Sequence, residues 1–378
     1  MATQIGSGSF AAATLADNSL TLSIPEGTTN FAVAYVCPGY SDGNYQVTEE
    51  IVVEASTLDG TSYSESCSTT SSPGATGTLT GNVDASAISG VNEIGILAQD
   101  GTPQAADFLA ASGGSFSFAA PTGNDRVEVA TFDDYGSLSA LKNFSSQSVP
   151  GALNDGNTII LSTADMTVQE PITYENVPAG FYAPYTNPII RWSGGTDGLY
   201  LANAVASSYP ALPAGAKESG DFYEFQAVSE GTNPGLTNGD EEVYVYETTT
   251  SGGAQTFSFP PVWSYAGPAA ATWPSFDFAY SGFSSGNVCK NASLIWYPNR
   301  TTLNEYGVFA SETYLAGSNT VEIPDLTGVS GFIAAPASST SVTWLAEIDN
   351  LTSPCFQNSS SLNSTEKGVF TGGTYTAP

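Results

Sequence analysis

The sequence lacks histidine and is poor in basic residues. Its 378 residues include no His and 7 Lys and Arg against 37 Asp and Glu, giving a formal net charge of −30 at pH 7. Only 12% of the residues are charged, whereas an ordinary globular chain is about one quarter charged. The acids are not enriched, so a shortage of bases produces the charge and a halophile surface is not indicated. With so few bases we expect no binding to nucleic acid or to an anionic bilayer.

Several kinds of site and segment are also absent. Without His, the sequence excludes Ser-His-Asp and Cys-His catalysis, HExxH zinc sites and imidazole pH switches. It has no run of about 18 apolar residues, so we predict no transmembrane segment. Residues 1–6 lack the basic and apolar regions of a signal peptide. The chain is therefore either intracellular or what remains after a signal peptide has been removed.

The few cysteines favour the second alternative. Cys37 and Cys67 lie on either side of one predicted β-unit, and Cys289 and Cys355 on either side of another. Sequential pairing keeps each bridge inside one module, and the two loops would contribute about 3.5 and about 4.3 kcal/mol in the chain-entropy model. Four buried free thiols are the alternative, while a zinc site is disfavoured because no CxxC spacing occurs. We expect two disulfides and an extracytoplasmic, secreted or cell-surface location.

Short alternating strands separated by Pro and Gly turns dominate the sequence. Alternation predicts strands at 20–24, 31–37 and 243–246, and a Pro turn joins strands at 321–323 and 329–333. The 39 Gly and 22 Pro residues recur at the spacing of a β-sandwich or barrel. The best helix candidate, 137–144, is barely two turns long. We predict an all-β fold of several β-sandwich modules in tandem with very little helix.

Composition suggests where the modules begin and end. We predict a β-sandwich module with a disulfide at 5–70 and a β module with an extension at 77–180. A β region at 181–250 and a C-terminal β module with the second disulfide at 254–357 follow. The tail at 358–378 is rich in Ser, Thr and Gly and is either disordered or a late strand around 368–370.

One stretch carries a resemblance to a known family. It runs from the Gly-rich segment 77–81 through an aliphatic strand at 91–97 and a Gly-aromatic strand at 114–118, and then through Pro121 and Gly123 to the alternating residues 127–129. In this order of features, residues 77–132 resemble the carboxypeptidase-regulatory-like, or prealbumin-like, β-sandwich modules of bacterial secreted surface proteins and lipoproteins. The Tyr common after the second Gly is missing. The resemblance implies an extracytoplasmic sandwich without specific chemistry.

The catalytic routes that remain are weakly represented. Two Ser-x-x-Lys strings, 139–142 and 364–367, lack the long helix that a nucleophilic Ser beside a desolvated Lys requires. Paired carboxylates could support glycoside hydrolysis if two of them faced each other across a cleft. Neighbouring acids on a strand point to opposite faces, so adjacent pairs in the sequence do not form such a dyad. We predict no enzymatic activity.

Acidic turns suggest the one cofactor that we consider, a structural calcium ion. Asp133, Asp134, Asp155 and Asp240 provide the hard oxygen ligands that Ca²⁺ prefers. None of them follows an alternating Asp-x-Asp-x-Asp spacing. Ordinary turns built on Asx-Gly chemistry are the alternative.

Aromatic residues are dense between 257 and 297. If exposed on one flat face, they would form a platform for the faces of sugars, and if they alternate inward they belong to the core. The candidates for a glycan or partner surface are Trp263, Trp273, Tyr280, Trp296 and Tyr297.

Together these patterns favour a non-enzymatic protein of the cell envelope with a structural or adhesive role. Its expected partners are envelope components, glycans or copies of itself, since exposed strand edges can pair between subunits. A carbohydrate-binding surface protein that uses the aromatics of 257–297 is the alternative hypothesis. A glycoside hydrolase with paired carboxylates is the second alternative.

Overall fold

A computed structural model gives the fold of the chain. It describes residues 1–378 except 7, 15–21, 24, 26–27, 29, 38–45, 56–74, 100–104, 194–197, 214, 237–238, 269–274, 284–286, 298–301, 316–317, 325, 327, 333–335, 353–354, 356–363 and 378, and it leaves undescribed the side chains of 37, 46–55, 99, 105, 124–125, 145, 302 and 313.

Strands make up most of the described residues, which confirms the all-β prediction. Numbered in chain order, they are β1 (Ala2–Ile5), β2 (Ala11–Ala12), β3 (Phe31–Cys37), β4 (Gln46–Ala55), β5 (Thr76–Asp84), β6 (Glu93–Gln99), β7 (Ala105–Ala110), β8 (Gly113–Pro121), β9 (Gly123–Phe132), β10 (Leu138–Val149), β11 (Gly151–Ala152), β12 (Ile159–Ile160), β13 (Val168–Glu175), β14 (Tyr185–Arg191), β15 (Gly198–Tyr200), β16 (Ser208–Ala211), β17 (Phe222–Thr232), β18 (Asp240–Thr249), β19 (Gln255–Ser258), β20 (Ser275–Asp277), β21 (Asn287–Trp296), β22 (Thr302–Ser311), β23 (Thr320–Glu322), β24 (Ser341–Leu351) and β25 (Thr365–Thr376).

Helical structure within the described residues is short. It consists of 3₁₀ turns at Leu153–Gly156 and Thr163–Asp165 and one α-helical turn, α1 (Glu312–Leu315). None of these helices is long and apolar enough to span a membrane.

The largest sheet of the described residues has twelve strands in the order β15-β14-β17-β18-β25-β24-β21-β22-β4-β3-β1-β2. Its ladders are antiparallel except for the parallel pair β22–β4. Smaller sheets have the orders β10-β9-β6-β7, β16-β13-β19 and β20-β23, and another joins β5 to β8, β11 and β12. Strands from the predicted ranges 5–70, 181–250, 254–357 and 358–378 all belong to the twelve-stranded sheet. The predicted boundaries stay a prediction, but hydrogen-bonded ladders join strands of these four ranges into one sheet.

Among the described residues, two hydrophobic clusters form the core. The larger one lies against one face of the twelve-stranded sheet and draws residues from Ala2 to Ala377. The smaller one contains residues between Leu79 and Leu161 and fills the region around β5, β6, β9 and β10. Period-two alternation places the apolar side chains of each strand on the core face and the intervening residues on the opposite face.

Two local predictions are wrong. The helix candidate 137–144 lies in β10, where a bulge between Leu138 and Ala140 adds one residue to the strand. The bulge brings Leu138 and Leu141 into the same core cluster at a spacing that imitates one helical turn. The strand predicted at 329–333 is not formed in its described part, because residues 328–331 form turns.

Candidate functional site: an acid–tyrosine pocket

The outer face of β14, β17, β18, β25 and β24 is unusually rich in acids and tyrosines. Phe225, Val243, Val245, Ile348 and Val369 point into the core from these strands. The residues that alternate with them therefore lie together on the opposite face. We call this set the acid–tyrosine face: Tyr185, Arg191, Glu224, Gln226, Glu230, Glu242, Tyr244, Tyr246, Glu347, Asp349, Glu366 and Phe370.

Tyr244 lies at the centre of this face. Its backbone pairs with Gly368 on β25, which pairs on its other side with Asp349 on β24. The tyrosine ring covers Gly368 so closely that a Cβ at this position would lie 2.2 Å from the Tyr244 Cζ. Gly368 is therefore required for close approach, and the ring directs its hydroxyl toward β24.

Three carboxyl groups converge on the Tyr244 hydroxyl. Its Oη lies 2.7 Å from Glu347 Oε1 and 3.2 Å from Glu366 Oε1, and it also contacts Asp349 Oδ1. Glu347 Oε2 accepts a hydrogen bond of 3.2 Å from Asn291 Nδ2 on β21. We call Tyr244, Glu347, Asp349 and Glu366 the tyrosine cluster.

Protonation is favoured at Asp349, Glu366 and Tyr244 of the cluster. Burial, reinforced by Glu347 and Glu366, raises the pKa of Asp349 well above its ordinary value. Burial and the charge of Glu347 also raise the pKa of Glu366. The pKa of Tyr244 is raised by burial and by the three carboxyls, so the phenol stays neutral.

A cavity of 480 Å³ opens beside the cluster. It is lined by Gln226, Glu242, Tyr244, Tyr246, Glu347, Glu366 and Phe370, which we call the acid–tyrosine pocket. Phe370 forms its floor between Glu242 and Glu347, because its backbone pairs with both of these residues. Burial raises the pKa of Glu242 to about 7, with Glu230 and Glu347 adding to the effect.

The flank of the face toward β14 is tied by charged hydrogen bonds. Arg191 donates through Nε and Nη2 to the two carboxylate oxygens of Glu224, at 2.7 and 2.6 Å. The Tyr185 hydroxyl donates to Glu230 Oε1 at 2.9 Å. Arg191 is the one cation of the acid–tyrosine face and its charge is already used, so the pocket carboxyls have no counter-charge from this set.

Two of the candidate aromatics of 257–297 lie in the core. Trp263 and Trp296 are only 2% and 3% exposed. Trp263 stacks on Tyr265 and Phe278 with ring centroids 4.7 and 5.3 Å apart, and Trp296 packs on a tyrosine of β22. These rings point into the core, which agrees with the core alternative and leaves neither tryptophan free to stack on a sugar.

The other candidates of this set are placed differently. Tyr280 is half-buried and donates a 2.6 Å hydrogen bond to the Pro261 carbonyl oxygen. Tyr297 is 55% exposed. Trp273 lies outside the described residues.

The calcium candidates are separate turns and strand ends. Asp133 Oδ1 accepts the backbone N–H groups of Tyr135 and Ser137 at 2.8 Å, which is an Asx turn. Asp134 and Asp155 are exposed in turns, and Asp240 is exposed at the start of β18. No group of three or more His, Cys, Asp or Glu residues that could hold a metal ion occurs in the described part of the chain. The turn alternative fits these positions better than a calcium site.

One predicted disulfide is confirmed. Cys289 and Cys355 are bonded, with their Cα atoms 5.8 Å apart. Cys67 and the side chain of Cys37 lie outside the described part of the structure, so their pairing stays a prediction.

The Ser-x-x-Lys strings form no dyad. Lys142 Nζ donates to the Ile160 carbonyl oxygen at 3.2 Å, and Lys367 Nζ donates to the Ser258 carbonyl oxygen at 2.8 Å. The Ser364 hydroxyl lies 2.9 Å from Thr248 Oγ1. Each lysine is therefore directed to a backbone carbonyl and away from a serine nucleophile.

Sequence reasoning missed the acid–tyrosine pocket. Alternation at 242–246 signals a strand with Glu and Tyr on one face. The other walls come from Gln226 on β17 and from β24 and β25, about a hundred residues later. Comparison with protein families, characterised proteins and solved structures finds no match to this chain.

Proposed function

We propose that the chain is a non-enzymatic extracytoplasmic protein with a structural or adhesive role at a cell envelope, and that its acid–tyrosine pocket binds a carbohydrate. The Cys289–Cys355 disulfide supports an oxidising compartment. The observation that carries the binding role is the 480 Å³ pocket and the composition of its walls.

The pocket combines the groups that a sugar requires. Sugar hydroxyls are hydrogen-bond donors, and the oxygens of Glu242, Glu347 and Gln226 accept hydrogen bonds. The rings of Phe370 and Tyr246 offer apolar surface for the C–H groups of the sugar ring. A concave site with a few convergent polar groups on a preformed scaffold is typical of ligand sites.

Self-association between copies of the chain is less favoured than glycan binding. The edge strands β15 and β2 of the twelve-stranded sheet contain three and two residues. Such short edges offer few free backbone groups for strand addition. We therefore place glycans or glycan-bearing envelope components before copies of the chain.

Glycoside hydrolysis is the second candidate function. Glu242 and Glu347 flank Phe370 on neighbouring strands, which separates their Cα atoms by about 10 Å. The pKa of Glu242, about 7, suits a general acid, and Glu347 would then activate water as the base. Inverting glycosidases hold two carboxyl groups about 6.5–9.5 Å apart, and two side chains whose Cα atoms are about 10 Å apart can reach this spacing.

A glycan-array screen followed by calorimetry tests the binding role. The full chain is compared with Phe370→Ala, Glu242→Gln and a control, Glu322→Gln, whose exposed acid lies on β23 in another sheet. We expect binding by the wild type and the control and at least tenfold weaker binding by the two pocket variants. Binding that both pocket variants retain, or no binding by the wild type, contradicts the proposal.

Incubation of any bound glycan with the wild type distinguishes the two candidates. If the wild type produces new reducing ends and both Glu242→Gln and Glu347→Gln do not, the pocket is a hydrolytic site and not only a binding site. An unchanged ligand supports a binding protein.

A further inference from the structure

We propose that the tyrosine cluster is a proton-dependent clasp, which holds β18, β25 and β24 together in mild acid and weakens when its carboxyl protons are lost. This property goes beyond carbohydrate binding and does not depend on it. It follows from how many hydrogen atoms the observed contacts require.

The contacts at Tyr244 need more protons than the phenol supplies. The hydroxyl has one hydrogen and can donate to only one of the three carboxyl oxygens around it. The phenol oxygen can also accept hydrogen bonds, but ionised carboxylates have none to donate. The complete set of contacts therefore requires protons on two of the three carboxyl groups.

Described groups on the surrounding strands give no positive charge to replace these protons. Glu242 and Tyr246 face the cluster from β18, and Gln226 and Glu230 lie beyond them on β17. Asn291 on β21 is neutral and reaches Glu347.

The nearest basic residues are engaged elsewhere. Arg191 is held by both oxygens of Glu224, and Lys367 on β25 is directed to the Ser258 carbonyl oxygen. Loss of the carboxyl protons would leave three like charges around one phenol oxygen, and such charges repel one another at this short range in a half-buried site.

The direction of the pH dependence follows from the protonation of the native state. The pKa values of Asp349 and Glu366 are raised in the fold, chiefly by burial. The native chain therefore holds protons that the unfolded chain has already released above about pH 4.5. Their contribution to stability is complete below the unfolded pKa and is lost as the pH rises through the raised native values.

Thermal unfolding of the full chain from pH 5 to pH 9 tests the clasp. We compare the wild type with Asp349→Asn/Glu366→Gln, whose neutral amides resemble protonated carboxyls, and with the control Glu322→Gln. We expect the Tm of the wild type and the control to fall as the pH rises, and the fall in the double variant to be about 2–4 °C smaller. An equal fall in all three proteins would overturn the proposal.

Infrared spectroscopy provides a readout that does not depend on the stability of the variants. A protonated carboxyl has a C=O stretching band separate from that of a carboxylate. At pH 6.5 we expect this band in the folded wild type and a weaker band in Asp349→Asn. A band of equal strength in both proteins, or none in the wild type, would show that Asp349 holds no proton and would overturn the clasp.

Discussion

Replacing Arg126 by methionine should be among the most destabilising single changes in this protein. Arg126 lies on β9 and connects the sheet of β6, β7, β9 and β10 to the segment that precedes β17. Its Nη1 and Nη2 donate to the two carboxylate oxygens of Asp221, each at 2.9 Å, and its Nε lies 2.7 Å from Glu128 Oε1. The guanidinium also stacks over Trp192, 3.8 Å from the ring centroid.

The magnitude follows from the burial of the partners. The side chains of Asp221 and Glu128 are 0% exposed and that of Arg126 is 12% exposed. Removing one partner of a buried pair costs about 3–5 kcal/mol, because the other charge stays buried. Asp221 keeps two backbone donors, the N–H groups of Ser193 and Glu218. We therefore expect Arg126→Met to lower the free energy of unfolding by about 3 kcal/mol, near the lower end of that range.

Urea denaturation at pH 6.5 measures this loss, and a double-mutant cycle with Asp221→Asn isolates the pair. We expect a coupling of about 2 kcal/mol or more. Lys142→Met is the control, because Lys142 makes one exposed hydrogen bond to a carbonyl oxygen and its loss should cost less than about 1 kcal/mol. A loss below about 1 kcal/mol for Arg126→Met, or a coupling near zero, would refute this reasoning.

Three further changes have defined outcomes. Gly368→Ala places a Cβ 2.2 Å from the Tyr244 ring and should lower the free energy of unfolding by about 1–3 kcal/mol. This loss should be smaller in a Tyr244→Ala background, where the ring is gone. An equal loss in both backgrounds would contradict the close approach. Cys289→Ser opens a loop with a sequence separation of 66 and should cost about 4 kcal/mol in urea denaturation, a loss that Cys355→Ser should reproduce. Burial raises the pKa of Glu128 to about 8, so its stabilising proton is present at pH 6 and lost above pH 8. Glu128→Gln should then gain about 2–3 kcal/mol relative to the wild type between these conditions, and parallel pH profiles of the two proteins would argue against this assignment.

The sequence pattern was sufficient to predict the class of the fold. Alternation over 31–37 and 243–246 corresponds to β3 and part of β18. The pattern predicted a helix where β10 is a strand. The bulge before Ala140 places Leu138 and Leu141 on one side of the strand at a spacing that is typical of a helix. A single inserted residue changes the period locally, and sequence alone does not reveal which spacing the backbone follows.

The pocket depends on pairings that the sequence does not specify. Its walls require β25, from the tail at 358–378, to lie between β18 and β24. The parallel ladder between β4 and β22 likewise joins segments about 250 residues apart. Local patterns fix neither such partners nor their register, so the acids could be counted from the sequence but not brought together.

The structure also changes the meaning of the charge imbalance. Each basic residue in the described part of the chain has a specific acceptor. Lys290, for example, is 3% exposed and reaches Glu312 at 3.0 Å and the Ser318 carbonyl oxygen at 3.3 Å. Each cation thus contacts its own specific acceptors, and the few cations do not neutralise the buried acids as a group. Burial raises the pKa values of Glu128, Glu241, Glu242 and Asp349, so bound protons neutralise these carboxyl groups.

Potentiometric titration of the native and the urea-unfolded chain tests this use of protons most directly. At pH 6 the native chain should bind about two or more protons per molecule beyond those bound by the unfolded chain. The free energy of unfolding should fall correspondingly as the pH rises from 6 to 8. Coincident titration curves, with a free energy of unfolding that does not change between pH 6 and pH 8, would contradict a fold held together by protonated acids.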